Sequence, residues 1–166
     1  METIVIFNFV ISVIFFLCYA YQFFYIIVGI LRKKTDLKAE KNNRYAVVVS
    51  ARNECNVIGN FIKSIKAQNY PAELVDVFIV ADNCTDETAE VSRQAGAIVY
   101  ERFNKEKVGK GYALDWLFEK ILTEYKEKAY DAFIIFDADN VVDANFIAEI
   151  NHVYDNGYRI ITSYRN

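Results

Sequence analysis

From Ile4 to Leu31 the chain carries no charged side chain, and its polarity is limited to Asn8, Ser12 and Gln22. A helix through this run would be roughly 42 Å long at 1.5 Å per residue, against a hydrocarbon core of about 30 Å. One tilted transmembrane helix fits. A cleaved signal peptide is the competing reading, but its apolar region would be much shorter, with a basic stretch before it and a small-residue cleavage site after it. Here only Glu2 precedes the run, whereas Arg32, Lys33 and Lys34 follow it directly, with Lys38 and Lys41 close behind. Basic flanks favour the cytoplasmic side. The pattern predicts a single-pass protein of the plasma membrane, amino terminus outside, with everything after Leu31 in the cytosol. Residues 1–34 form the anchor with its basic flank, 35–44 (TDLKAEKNNR) a polar linker, and 45–166 one cytosolic domain.

The remaining sequence is long enough to bury one core. The net charge of −3 disfavours a basic nucleic-acid-binding surface. With 6 Gly, 1 Pro and 3 Cys, disorder, collagen and disulfide scaffolds are excluded. Cys18, Cys55 and Cys84 lack close spacing, and His152 is the sole histidine, so neither a Cys/His zinc site nor a Cys-His pair can be assembled. Free thiols in a reducing compartment are the plain reading.

After the linker, strand and helix patterns alternate. Tyr45 to Ser50 reads as a short buried strand, Val75 to Ala81, Ala97 to Tyr100 and Ala132 to Phe136 read as three more strands, and Tyr158 to Tyr164 opens a fifth. Apolar residues at helical spacing mark helices over Glu54 to Gln68, through Leu114 to about Lys128, and through Phe146 to Val153. Thr85 is expected to cap a helix ended by Gly96, and Asp143 to cap the last one, closed by Gly157. This alternation predicts a mostly parallel sheet covered on both faces.

Ligands of such sheets bind outside the carboxyl ends of the strands, and the polar clusters fall there. The first strand runs into Ala51-Arg52-Asn53-Glu54, the second into Asp82-Asn83-Cys84-Thr85-Asp86, the third into Glu101-Arg102 and then Gly109-Lys110-Gly111, the fourth into Asp137-Ala138-Asp139-Asn140. Singly, Asp82 or Thr85 serves equally well as a helix cap, and Gly109-Lys110-Gly111 as a flexible turn. The Asp137/Asp139 pair says more, because two carboxylates two residues apart repel unless a cation sits between them. Carboxylates select hard ions such as Mg²⁺ or Mn²⁺, and a metal held by one or two of them takes its other ligands from phosphate and water. A phosphate-bearing ligand is implied. The sequence has neither G-x-G-x-x-G after the first strand nor the Ser/Thr of a P-loop.

ARNE, ADNCTD, GKG and DAD, in this order and spacing, resemble the inverting family 2 glycosyltransferases of GT-A fold, a Rossmann-like nucleotide-diphospho-sugar transferase architecture. The resemblance is greatest to membrane-anchored bacterial members related to cellulose, hyaluronan and poly-N-acetylglucosamine synthases, and it covers Tyr45 to Asn166. It implies a nucleotide-diphospho-sugar donor, most often a UDP-sugar, bound with a divalent metal, and a carbohydrate or lipid acceptor. It further implies that Glu54 and Asp82 contact the uridine, Asn53 supports that loop, Lys110 lies near the nucleotide, Asp137 lies near ribose or metal, and Asp139 is the principal metal ligand. Ala51 and Asn83 join them as nucleotide-sugar-binding residues.

Two features of the family are expected beyond Asn166: the carboxylate general base and, in processive members, a Q-x-x-R-W motif with further membrane helices. Asp143, Glu149 and Asp155 stand too close to the DxD to serve as the base. The chain therefore reads as the amino-terminal, donor-binding part of an incomplete GT-A domain, with a missing carboxy-terminal segment or a second chain as its partner. Two other readings stay open, a non-catalytic membrane-tethered nucleotide-binding or interaction module and a nucleotidyltransferase. The second would normally carry a Gly-rich basic loop after the first strand, which ARNE is not.

Overall fold

A computed structural model describes residues 2–31 and 37–163. They belong to two units, divided between residues 36 and 37. The first is one helix, α1 (Glu2–Leu31), of 30 residues with none buried. It is long and apolar enough to cross a membrane. The basic flank Arg32, Lys33 and Lys34 lies outside the described residues.

The second unit holds a four-stranded sheet, β1 (Tyr45–Ala51), β2 (Val75–Asp82), β3 (Ile98–Arg102) and β4 (Ala132–Phe136), in the order β3-β2-β1-β4 and parallel throughout. Between them run α2 (Ile58–Lys66), α3 (Thr88–Gln94) and α4 (Lys110–Glu124), and α5 (Phe146–Asp155) follows β4. Strand β1 is flanked on both sides, which explains its unbroken YAVVV run: both of its faces are buried. Tyr45, Val47 and Val49 of β1, with Val77 and Ile79 of β2, face Phe61 and Ile62 of α2 and Ile147 of α5. The alternate residues Ala46, Val48, Phe78 and Val80 face Ala113, Leu117 and Ile121 of α4. One helix layer therefore holds α2 and α5, and α4 covers the opposite face.

Several boundaries differ from the sequence expectation. Helix α2 begins at Ile58, not Glu54, because Glu54 to Val57 form a turn in which the Glu54 carbonyl accepts from Val57 and Ile58. Thr85 does not cap α3. The Asp86 carboxylate does so by accepting from the N–H and hydroxyl of Thr88, at 3.0 and 2.5 Å. Gly96, at φ +86°, does end α3: its N–H reaches the Arg93 carbonyl and that of Ala97 reaches Ser92, the paired bonds of a Schellman turn. Asp143 caps only the turn before α5, accepting from Asn145 N–H at 2.9 Å.

The expected fifth strand is not formed over residues 158–163, and Tyr164 lies outside the described residues. The β-rich pattern there makes no ladder, and without a ladder there is no strand. Instead Arg159, Ile161, Thr162 and Ser163 line a groove of about 820 Å³ along the outer edge of β4.

Residues 37–44, a linker by pattern, are tied to α5. Ala39 N–H donates to His152 Nδ1 at 2.9 Å, Glu40 N–H to Asp155 at 2.6 Å, and Asn43 N–H to Asn151 Oδ1 at 3.1 Å, while Asn151 Nδ2 donates back to the Lys41 carbonyl at 2.8 Å.

Candidate functional site

The strand order reverses between β1 and β4, with β2 and β3 to one side of β1 and β4 to the other. A crevice therefore opens at the carboxyl ends of β1 and β4, the place where open α/β sheets bind ligands. Ala51, buried, ends β1, and the residues after it turn sharply through Asn53 at φ +57°. Asparagine tolerates this left-handed conformation. Its Oδ1 accepts from the Thr85 N–H at 2.8 Å, so the loop after β1 is stitched to the loop after β2. Glu54 N–H donates to Thr88 Oγ1 at 2.8 Å and Cys55 N–H to Asp86 Oδ2 at 3.2 Å. The Glu54 side chain is thereby held on a fixed backbone, half-buried at the rim.

Asp86 joins the two loops through four hydrogens, and these hold its carboxyl down to about 2, those of Thr88 foremost. The same carboxylate raises the Cys55 thiol, and burial raises that of Cys84. Both thiols stay protonated, which removes them as nucleophiles.

Asp82 lies 3% exposed at the end of β2 and pairs with Arg102, the residue beside it in register on β3. Asn83, at φ +52°, brackets Asn104, accepting its N–H at 2.9 Å and donating to its carbonyl at 3.1 Å. Asn104 in turn accepts from the N–H groups of Glu106 and Lys107 at 2.9 and 2.8 Å. The segment between β3 and α4 is thus folded onto the end of β2. Gly109 then turns at φ +133°, a conformation that only glycine adopts without strain, and α4 starts at Lys110 with no side-chain cap. Its first N–H groups and the positive end of its dipole face the rim.

Lys110 pairs with Asp137 across the switch point. Ala138 is buried in the core, and Asp139 on its far side is exposed and borders the groove beside β4. Lys110 supplies positive charge to Asp137, and Asp139 has no such partner among the described side chains. Among the described residues no cluster of three or more His, Cys, Asp and Glu could enclose a metal. Asp143 and Asp155 are engaged in structural hydrogen bonds, to Asn145 and to the strap at 39–43.

The structure therefore brings Ala51, Asn53, Glu54, Asp82, Asn83, Lys110, Asp137 and Asp139 to one rim. Sequence reasoning assigned no role to Arg102, Asn104 or Thr88. The signal for Arg102 was available: in a parallel sheet the last residues of adjacent strands are neighbours, and an arginine ending one strand beside an aspartate ending the next forms a pair.

Comparison with known proteins agrees with this geometry. In Staphylococcus aureus (strain USA300) the 4,4'-diaponeurosporenoate glycosyltransferase is 38% identical over 76 residues, 43% of this chain and 20% of the relative. The match thus spans about a fifth of that relative's length. Among solved structures, the Pyrobaculum calidifontis mannosyltransferase in complex with GDP-Man and Mn²⁺ superposes with TM-score 0.61 at 22% identity, covering 81% of this chain and 40% of that one. S. aureus TarS 1–349 in complex with UDP-GlcNAc gives 0.55 at 15%, covering 68% and 31%. These likenesses establish the GT-A fold. A family profile described as glycosyltransferase-like family 2 matches residues 42–166, a stretch that holds all four strands and the whole rim, and the chain belongs to that family.

Proposed function

We propose that the chain is the donor-binding part of a membrane-anchored inverting glycosyltransferase. It transfers sugar from a nucleotide-diphospho-sugar, a UDP-sugar foremost, to a polysaccharide, lipid or other cell-envelope acceptor. The observation that carries this reading is the rim itself: at the strand ends Asp82 of β2 pairs with Arg102, and Asp137, just after β4, pairs with Lys110 at the start of α4. The neighbours of like fold are complexes with GDP-Man and with UDP-GlcNAc, which supports the donor class. The S. aureus relative is named for one acceptor, 4,4'-diaponeurosporenoate.

In an inverting transfer the acceptor oxygen bonds to the anomeric carbon as the bond to the diphosphate breaks. The acceptor proton passes to a base, and the nucleoside diphosphate leaves with the bonding electrons. Residues of this chain act on the donor side. Asp82 and Glu54 hold the donor's nucleobase, Asn53 fixes the loop beneath it, and Lys110 with the α4 N-terminus offsets charge on the leaving group. Asp139, exposed, and Asp137 are hard oxygen donors, which fits a Mg²⁺ or Mn²⁺ that takes most of its ligands from phosphate and water. Bound there, the ion would neutralise the departing diphosphate. The helix α1 supports membrane anchoring, and the basic residues after it support a cytosolic domain.

The test is nucleotide titration of the chain in detergent. UDP should bind appreciably more tightly with Mn²⁺ than with chelator, and Asp139→Ala should remove most of that difference. Asp82→Ala should weaken binding in both conditions. A metal effect undiminished in Asp139→Ala would refute the assignment of the DxD.

A further inference from the structure

We infer that Arg102 is the positioning residue through which the site selects its nucleobase. The inference rests on the reading of Asp82 as the carboxylate that meets the base. Asp82 and Arg102 are direct partners in the β2–β3 register, 3% and 6% exposed. Arg102 Nη1 donates to Asp82 Oδ1, and Nη2 donates to the Lys107 carbonyl at 2.8 Å. The guanidinium is a rigid plane, so engaging Lys107 with one arm fixes the direction of the other.

Lys107 is itself held. Its N–H bonds to Asn104 Oδ1, and the Asn104 backbone is bracketed by the amide of Asn83, the neighbour of Asp82. Asp82, Arg102, Lys107, Asn104 and Asn83 thus close a ring of bonds around the end of β2. A salt bridge serving stability alone would need only its first link.

The second oxygen of Asp82 shows what the ring achieves. No described group bonds Oδ2, yet among the described residues no buried side-chain oxygen lacks a partner. Oδ2 therefore keeps the small exposure that Asp82 has, at the carboxyl end of β2. Asp82 offers a single anionic acceptor in one fixed orientation. Such an acceptor takes a base edge that presents a ring N–H, as uracil does at N3 and guanine at N1. It repels the lone pair that cytosine places at N3. Removing the fork or loosening its anchor lets the carboxylate rotate, and the choice between these edges is lost while the diphosphate contacts stay.

The experiment compares UDP with CDP by titration calorimetry on the full chain in detergent with Mn²⁺. The wild-type chain should prefer UDP. Arg102→Lys keeps the positive charge, so the buried carboxylate is not orphaned, but a compact ammonium cannot span both acceptors. It should lower the UDP-to-CDP ratio at least about tenfold, the range of a hydrogen bond to a charged group, with CDP affinity within about threefold of wild type. Asn104→Ala touches neither Asp82 nor Arg102 and lies in a surface loop, so it tests the same ring if Arg102→Lys does not fold. It should lower the ratio at least about threefold. An unchanged ratio in a folded variant overturns the proposal, and so does an equal loss for both nucleotides. A wild-type chain with no preference, or a preference that survives Asp82→Ala, overturns the reading of Asp82 itself and this inference with it.

Discussion

Asn151→Ala should cost this domain more than any change on its surface, and the reason can be worked through bond by bond. Asn151 is 1% exposed on α5. Its Oδ1 accepts from Asn43 N–H at 3.1 Å, Asn43 Nδ2 at 2.9 Å and the Tyr45 hydroxyl at 2.8 Å, and its Nδ2 donates to the Lys41 carbonyl. Tyr70 also approaches Oδ1, but a hydroxyl has one proton, and the 2.7 Å bond to the Asn43 carbonyl takes it. Burial pushes the Tyr70 hydroxyl up to about 12 and that of Tyr45 further, so both remain donors. Truncation leaves the Asn43 N–H and the Tyr45 hydroxyl, 2% and 0% exposed, with no other acceptor. At about 1–3 kcal/mol for each orphaned buried donor, the loss should be about 3–5 kcal/mol. With a urea slope of roughly 2 kcal/mol/M, the midpoint should fall by roughly 2 M. The single tryptophan, Trp116 on α4, provides the fluorescence probe. Asn156→Ala, which removes exposed bonds to Lys38 and His152, is the control and should cost less than about 1 kcal/mol. Trypsin should also cut after Lys41 faster in Asn151→Ala, as the strap comes loose. If the two variants shift the midpoint equally, the strap at 37–44 is not part of the folded domain and the reasoning fails.

Three further outcomes are expected. Asp86 is held at about 2 against an ordinary 3.8, and Asp155 is also lowered, chiefly by the Glu40 N–H, so both stabilise the fold above about pH 4 and lose that contribution as pH falls toward 2. Urea midpoints across this range should fall less steeply in Asp86→Ala than in wild type, and parallel curves would refute the link. Gly109→Ala should destabilise by about 1–3 kcal/mol through backbone strain, whereas Gly111→Ala, inside α4 with open space around it, should stabilise by about 0.5–1 kcal/mol; equal melting temperatures for the two would refute the strain argument. A reporter fused after Asn166 should be active only in a form that requires the cytosol, and export-dependent activity would invert the proposed topology.

The four strands that form were legible to within one or two residues because each is an apolar run, fully enclosed in β1 and most of β2 and only half-buried in β4, whereas the run after Gly157 has the same composition and forms no strand. The loops after them were not. Asn53 and Asn83 adopt positive φ, and Asp86 bonds two residues ahead, so the chain leaves each strand through side-chain-to-backbone bonds that no apolar period reveals. The expected helix starts therefore fell too early: periodicity set α2 from Glu54 instead of Ile58, and the capping pattern put the cap of α3 at Thr85, although the helix begins at Thr88. The residues at 37–44 looked like a linker because their stability comes from polar bonds to α5, a helix more than a hundred positions away. Site residues were legible as clusters, while their pairings depended on the register of β2 with β3 and on where the crossover lands.

That crossover explains why the rim is balanced in charge. With the order β3-β2-β1-β4, the chain leaving β3 at one edge must pass the ends of β2 and β1 before it reaches β4. At its first and last stations the strand end is acidic, Asp82 on β2 and Asp137 just after β4. The crossing segment brings the cations, Arg102 at its start for Asp82 and Lys110 at its end for Asp137. Each pairing shortens the free path of the segment, and Asn83 and Gly109 shape what remains. Asp139 is the carboxylate this segment does not reach: it is exposed, on the far side of the buried Ala138. The same topology that neutralises the inner carboxylates therefore leaves one outer carboxylate available to an incoming cation. For that reason a change at Asp139 should separate metal dependence from folding, while a change at Asp82 or Asp137 should not.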